Sequence, residues 1–451
     1  MQGGYDSPLA LSRGTLATDW ERFRRYANLI RSITYRYNFY STIRTLGQTR
    51  NLFPNLQSLR IIDHTARSLY GGSAPADPPL IQEYVPFMQP SVTHFIVESL
   101  DWNKAGMEWA NTISRMSHLV CLEIKGGWVD EDFVVLAARN LPCLETLVLP
   151  FLAATSVVIE GLSNHQYLKE IKSNSEPQLR ERFTGLPTFE PRLNEGAFPA
   201  LHTLACAAWS RDFPHFLAHK FFPSNLRGVY LETLDLTTAS SVESILLVLA
   251  KTCPDIEKIT LTDEDYNPWT SGACAGLSLD PLRPLFSCTK ITSLHIRHRT
   301  CLALTHEEVG ELARALPHIE HLILNEEPRH RGYQFESHSL TLDILPIFAD
   351  SCRHLQSLGV YIDANAPYST DLFEVQPFYK LQNIYMGKST MDYTSIEPIA
   401  LFFAQILPPM CKIHPQSDTI SQTNYWLSIN RLLPVLVKMK EIGVRIGKRL
   451  Q

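Results

Sequence analysis

The chain has 451 residues, with 41 Lys and Arg against 46 Asp and Glu for a formal net charge of −5, and 45% of its residues are hydrophobic. That apolar share excludes a mostly disordered chain, and the near-neutral balance offers neither the basic face of a nucleic-acid-binding protein nor the polybasic block of a membrane-surface protein. The nine cysteines are scattered without a Cys-x-x-Cys pair, which argues against a disulfide framework or a structural zinc and for a reducing, cytoplasmic or nuclear, compartment.

Residues 1–20 contain no apolar core of signal-peptide length. Thr18-Asp19-Trp20-Glu21 has the form of a capping box, and Trp20, Phe23, Ala27 and Ile30 share one face of the helix it opens. This helix is expected to form an N-terminal cap within residues 1–50. From residue 51 to 390 a short phrase recurs: an aliphatic residue, two residues, an aliphatic, one residue, an aliphatic. Its copies start at Leu56, Val92, Leu119, Leu144, Leu168, Leu201, Leu226, Ile256, Ile291, Ile319, Leu355 and Leu381. Alternation of period two within the phrase predicts a strand.

Helical stripes precede several copies. Phe133, Leu136 and Ala137 align in Asp132–Asn140, and Ile245, Leu246 and Leu249 in Ser241–Thr252. Val309, Leu312 and Ala313 align in His306–Leu316, which Thr305 and Glu308 open as a capping box. Gly71–Pro79 and Asn174–Asn194 read as loops. Beyond residue 390, Ile396–Leu407 reads as a helix stopped by Pro408-Pro409. A last helical stretch, Asn424–Arg445, carries Trp426, Ile429, Leu432 and Leu433. Residues 391–451 are therefore expected to form a C-terminal helical cap.

One helix–strand unit cannot bury its apolar face alone, and stacking such units in one direction solves that problem. The spacing between copies, 24 to 36 residues, lies near the roughly 20–29 of leucine-rich repeats. The fold expected is α/β: an irregular leucine-rich-repeat solenoid, a horseshoe with a parallel sheet on its concave face and helices on its convex face. About twelve units would form one array, and no separate domains are needed to account for the length.

In such an array the residues between the buried aliphatics point out of the sheet. They are Arg60, Glu98, Glu123, Lys125, Lys172, Tyr230, Lys258, His295, Arg297, His321, Asn325, Tyr361 and Tyr385. Mixed charge with tyrosine and histidine suits a protein or peptide partner better than nucleic acid. No G-x-S-x-G elbow, P-loop or G-x-G-x-x-G occurs, so no catalytic residue, cofactor or metal is assigned. His215 and His219 stand four apart, but Phe216 occupies the glutamate position of a metalloprotease motif. His295 and His298 would face opposite ways on a strand. His318 and His321 are read as surface side chains, and Cys253, Cys288 and Cys352, each three residues before a repeat start, as buried packing positions. The acidic run Asp263-Glu264-Asp265 reads as a solvated loop, and Gly71-Gly72 and Gly126-Gly127 as turns.

Three segments together resemble the F-box/leucine-rich-repeat-like proteins abundant in basidiomycete fungi. Asp19-Trp20-Glu21-Arg22-Phe23 with Arg24-Arg25-Tyr26-Ala27 resembles the helix that follows the F-box in that family. The repeats form the middle, and Leu381–Met386, Phe402–Leu407 and Trp426 with Leu432-Leu433-Pro434 resemble its closing segment. The likeness spans roughly residues 18–440. It implies a substrate receptor of an SCF-type ubiquitin ligase, a non-catalytic protein. Only 18 residues precede Asp19, no Leu-Pro-x-Glu opening is present, and a ligase adaptor is expected as partner only if an F-box exists upstream. The alternative is a free-standing repeat scaffold or regulator without a ligase connection.

Overall fold

The computed structural model describes residues 17–36, 52–62, 84–99, 106–126, 129–174, 187–236, 238–263, 276–328, 340–369, 376–415 and 420–450. The expected loop Gly71–Pro79 and the turn residue Gly127 lie outside these. The chain divides into two compact units, Met1–Ala207 with His219–Pro223, and Ala208–Ala218 with Ser224–Gln451.

In the first unit, helix α1 (Ala17–Ala27) leads into strands β1 (Ser32–Arg36), β2 (Ser58–Ile62), β3 (His94–Ser99) and β4 (Cys121–Gly126), then β5 (Thr146–Pro150), β6 (Glu170–Asn174) and β7 (Thr203–Ala207). Helices α2 (Gly106–Ile113), α3 (Glu131–Arg139) and α4 (Ser156–Leu162) join β3 to β6. Every pair of neighbours from β1 to β7 is parallel and in chain order. The second unit starts with α5 (Phe213–Leu217), followed by β8 (Gly228–Thr233), α6 (Ala239–Thr252), β9 (Lys258–Asp263) and β10 (Ser293–Arg297). It continues with α7 (His306–Ala315), β11 (His321–Leu324), α8 (Ile344–Ser351), β12 (Ser357–Val360), β13 (Asn383–Gly387), α9 (Ile396–Ile406), β14 (Lys412–Pro415) and α10 (Ile420–Leu450). Its strands too pair in parallel and in chain order. Each unit is thus an open parallel sheet with helices on one side, the α/β leucine-rich-repeat arrangement.

The repeat phrase explains this order residue by residue. All twelve starting aliphatics are at most 1% exposed, and in every copy the strand begins two residues later. The next apolar residue of each phrase stacks on its neighbours in register: Leu59, Phe95, Leu122, Leu147, Ile171 and Leu204 in the first unit. Val229, Ile259, Leu294, Leu322, Leu358, Ile384 and Ile413 do so in the second. Burying each such side chain contributes about 1.5–3 kcal/mol, and a one-residue slip would turn the whole line to solvent.

A shared turn delivers the chain to most of the strands. The starting aliphatic donates its N–H to the carbonyl three residues back, as Leu119 does to Met116 (2.9 Å), Ile256 to Cys253 (3.1 Å) and Leu355 to Cys352 (3.1 Å). In three copies the residue accepting this bond is a buried cysteine. Cys253, Cys288 and Cys352 take this position at 0–2% exposure, as the sequence pattern anticipated. Burial pushes the thiols of Cys253 and Cys352 up to about 12, which leaves them protonated and inert.

Helix starts follow local chemistry. Asp130 accepts from the Asp132 N–H (3.0 Å) at α3, and Thr238 from Ser241 (3.2 Å) at α6. Thr305 and Glu308 close the expected capping box, at 3.2 and 2.7 Å. Between β9 and β10, Asp280–Ser287 is a 3-10 helix. Pro284 lacks the N–H that an α-helix would donate to the Asp280 carbonyl, whereas Pro281 sits in the first turn, where no such N–H is needed.

Three expectations are corrected. Helix α1 starts at Ala17 and ends at Ala27, so Thr18 lies inside it and is not its cap. Ile30 lies beyond it and opens a further copy of the phrase, Ile30-x-x-Ile33-x-Tyr35, which forms β1. Asp263 is no solvated loop residue: it ends β9 at 1% exposure and receives Arg299 Nε at 2.7 Å.

Candidate recognition face

Inward residues of the strands are fixed by packing, so the positions between them form the surface left for recognition. In the first unit the charged candidates are held in ion pairs. Arg60 on β2 reaches Glu98 on β3, Nη2 to Oε2 3.2 Å, across Ile96, its register partner. Glu123 pairs with Lys125 two residues on (3.0 Å), and Lys172 with Glu170 (2.6 Å). Partial burial works to raise the Glu170 carboxyl, but the Lys172 hydrogen bond and charge, with the Thr146 hydroxyl at 3.2 Å, hold it below the usual carboxylate range. Pairs this exposed contribute on the order of 0–1 kcal/mol.

The second unit differs. A single register line crosses it: Tyr230 on β8, Thr260 on β9, His295 on β10, Ile323 on β11, Gly359 on β12, Tyr385 on β13 and His414 on β14. Every side chain in the line is half-buried apart from the buried Gly359. Gly359 is required by its neighbours. A Cβ there would meet Ile323 Cδ1 at 2.9 Å, Ile323 Cγ2 at 3.0 Å and Tyr385 Cβ at 3.3 Å. The Tyr385 ring stacks on His414, centroids 4.8 Å apart and planes 19° apart. His414 Nε2 meets Asn383 Oδ1 at 2.9 Å, and burial, reinforced by Lys412, lowers the His414 pKa.

His295 is held neutral in the same line. Burial lowers its pKa, Glu326 opposes and Arg297 adds to the lowering. Its Nε2 is buried and has no hydrogen-bond partner among the described residues. Arg297, two residues on, extends Nη2 toward Glu326 Oε1 (3.5 Å) and Glu327 Oε2 (3.4 Å). Glu326 Oε2 is likewise buried without a hydrogen-bond partner among the described residues. The line is therefore uncharged and aromatic, with an ionic cluster at the C-terminal end of β10.

Of the remaining candidates, Lys258 is exposed and His321 and Tyr361 are half-buried. Burial first, then Cys301 and Asp363, raises the Tyr361 pKa. Asn325 does not belong to the face. It is 0% exposed with φ 50°, a left-handed residue that ends β11. Its Oδ1 accepts from the His298 N–H (3.0 Å), its Nδ2 donates to the Thr300 carbonyl, and its own N–H donates to Ile296 O (2.8 Å). The sixth position of the phrase falls past the strand there, so alternation no longer governs it.

Sequence reasoning missed Ile323 and His414. Ile323 is apolar at an outward position and carries no polar signal. His414 sits on β14, whose phrase starts from Met410 and keeps only Ile413 as a strong match. Among the described residues, no group of three or more His, Cys, Asp or Glu could hold a metal ion, and no helix is long and apolar enough to cross a membrane.

No family model matches the sequence, and no curated protein matches it. Solved structures similar to this one include the leucine-rich-repeat-containing protein LegL7 from Legionella pneumophila, with TM-score 0.37 and 12% identity over 80% of this chain and 95% of that one. Another is TLR13 in a complex with ssRNA13, with TM-score 0.27 and 13% identity over 83% of this chain and 59% of that one. The fold assignment rests on the strand ladder itself.

Proposed function

We propose that this chain is a non-catalytic recognition protein that binds a protein or peptide partner across the outward face of its strands. The observation that carries the reading is the line Tyr230, His295, Ile323, Tyr385 and His414, one residue per strand with few charges to desolvate. Half-buried aromatic side chains on a rigid backbone offer contact area at little entropic cost, which is the chemistry of interface hot spots. The paired charges of β2 to β6 would serve orientation and the rejection of wrong partners more than affinity. The finer reading is a substrate receptor feeding an SCF-type ubiquitin ligase. It rests on the F-box-family resemblance of the sequence, with a free-standing scaffold as the alternative.

Crosslinking pull-down with quantitative mass spectrometry tests both levels. A partner retained by Arg60→Ala/Glu123→Ala but lost from Tyr230→Ala/Tyr385→Ala supports recognition by the aromatic line; equal retention by both variants refutes it. Co-purification of the cullin and its adaptor separates the receptor from the scaffold.

A further inference from the structure

Helix α10 is apolar on two opposite faces. On one, Trp426, Ile429, Leu433 and Val437 are 0–6% exposed. That face is fixed to the rest of its unit: Trp426 stacks on Phe403 of α9, and Asn430 receives the Ile413 N–H of β14 at 3.0 Å. Lys440 donates from Nζ to the carbonyl oxygens of Gln405 (2.9 Å) and Ala404 (3.4 Å) at the end of α9. On the opposite face Leu432, Val435, Met439, Ile442 and Ile446 are 38%, 58%, 63%, 47% and 53% exposed.

Their spacing alternates three and four, the period of a coiled-coil seam. A surface helix needs one apolar face to join its own core, so the second has no use within the described residues. The seam is narrow and aliphatic, and no aromatic residue occurs between Leu427 and Leu450. Helices that lie in a membrane interface instead present a broad face carrying Trp, Phe and Leu. Arg431, Lys438 and Arg445 each precede a seam residue by one position and so run along one flank. Residues 431–449 hold Arg431, Lys438, Lys440, Arg445, Lys448 and Arg449 against Glu441 alone. A second copy of this helix laid antiparallel would set these like charges together, whereas an acidic helix would complement them in either direction. Gly443 keeps the other flank open, since a Cβ there would meet nothing within 4 Å.

We propose that the exposed seam of α10 docks an acidic amphipathic helix of a partner protein, aliphatic seam to aliphatic seam, with Asp or Glu facing Arg431, Lys438 and Arg445. This interface is separate from the strand face and does not depend on it.

The test titrates the full chain into two designed fluorescent helices of roughly three heptads, with the same Leu/Ile seam and either Glu or Lys at the flanking positions. The Glu helix is expected to bind at least ~10-fold more tightly than the Lys helix. Its affinity should fall as salt rises from about 0.1 to about 1 M, where screening shortens from about 10 to 3 Å. Met439→Asp/Ile442→Asp should abolish binding with an unchanged thermal melt, because both side chains are exposed. Lys438→Glu/Arg445→Glu should invert the preference between the two helices. Equal or absent binding of the two helices overturns the proposal, as does binding unchanged in Met439→Asp/Ile442→Asp. Seam-dependent self-association in sedimentation would make a second copy the occupant and overturn it. Seam-dependent capture by mixed phosphatidylserine and phosphatidylcholine vesicles, tighter than by the Glu helix, would make the occupant a membrane surface and also overturn it.

Discussion

Arg299 and Asp263 form an ion pair sealed from water: Nε lies 2.7 Å from Oδ2, and the side chains are 10% and 1% exposed. Arg299 Nη2 also donates to the Leu234 carbonyl at 3.0 Å, so one guanidinium joins the ends of β8, β9 and β10. Removing one partner leaves the other charge buried. Asp263→Ala is expected to cost about 3–5 kcal/mol, and Asp263→Leu/Arg299→Met markedly less than either single change. Denaturant midpoints for the single and double variants check this. A double variant as unstable as the sum of the singles would show that the pair is not coupled.

Asn325 holds the turn after β11 by backbone geometry and by two side-chain bonds at once. Asn325→Ala loses both bonds and keeps a left-handed φ that disfavours a Cβ, for a loss of roughly 2–4 kcal/mol. Asn325→Gly loses the bonds but not the backbone fit, and is expected to be about 1 kcal/mol less damaging than alanine. Equilibrium unfolding of the two variants ranks them, and alanine equal to glycine would remove the left-handed contribution.

These two sites show where sequence reading stops. Leu59, Leu122, Ile259 and their counterparts were legible because burial on one face imposes a period of two that survives in a single sequence. The strand starts followed from the same phrase, and Thr305 with Glu308 from short-range capping chemistry. Arg299, Asp263, Asn325 and His298 were not legible. They act at or just beyond the strand ends, where alternation lapses and partners such as Asn325 for His298 and Asp263 for Arg299 lie 27 and 36 residues away, set by how neighbouring repeats stack. On the outward face the charged candidates were found from their chemistry. Ile323 and Gly359 were not, because apolar and glycine positions look the same whether they are filler or platform. Strand β1 was hidden by Ile30, which also continues the stripe of the preceding helix.

His298 couples this region to pH. It is 1% exposed, and its Nδ1 accepts from the Thr300 N–H at 3.2 Å and meets Thr300 Oγ1 at 2.9 Å. Burial, with a smaller contribution from Arg299, lowers its pKa to about 4 from the ordinary 6.5. The neutral ring therefore favours the folded state. Its contribution is complete above pH 6.5, declines as pH falls below it, and is lost below about 4, on the order of 3 kcal/mol in all. His295, lowered by burial, acts in the same direction. The loss of stability from pH 7 to pH 5 is expected to be smaller in His298→Asn than in the unsubstituted chain. Parallel unfolding curves at the two pH values measure it, and an unchanged pH slope would reject the assignment.

Trp426 anchors α10. It is 0% exposed, its Nε1 donates to the Ser389 carbonyl at 3.1 Å, and its ring stacks on Phe403 with centroids 6.2 Å apart. Trp426→Ala is expected to cost about 3–5 kcal/mol. Hydrogen exchange should show α10 and α9 opening before β8 to β12. Protection lost evenly along the chain would mean that the helix is not a separately anchored element.

Gly359 links stability to recognition. In Gly359→Ala the new methyl group enters space held by Ile323 and by Tyr385 Cβ. The end of Ile323 can rotate away, but Tyr385 Cβ can move only with its backbone. The expected cost is about 1–3 kcal/mol of overpacking, with Tyr385 tilted from its stack on His414. If the aromatic line is the recognition surface, Gly359→Ala weakens partner binding by displacing Ile323 and Tyr385, without removing any side chain that contacts the partner. Gly196→Ala serves as the control: it lies in the other unit, and although its φ of 77° adds backbone strain, a Cβ there meets nothing within 4 Å. Dissociation constants for the two variants, each measured well below its melting temperature, decide the matter. An affinity unchanged in Gly359→Ala would place the partner elsewhere on the chain, because no substitution at this glycine can leave Ile323 and Tyr385 where they are.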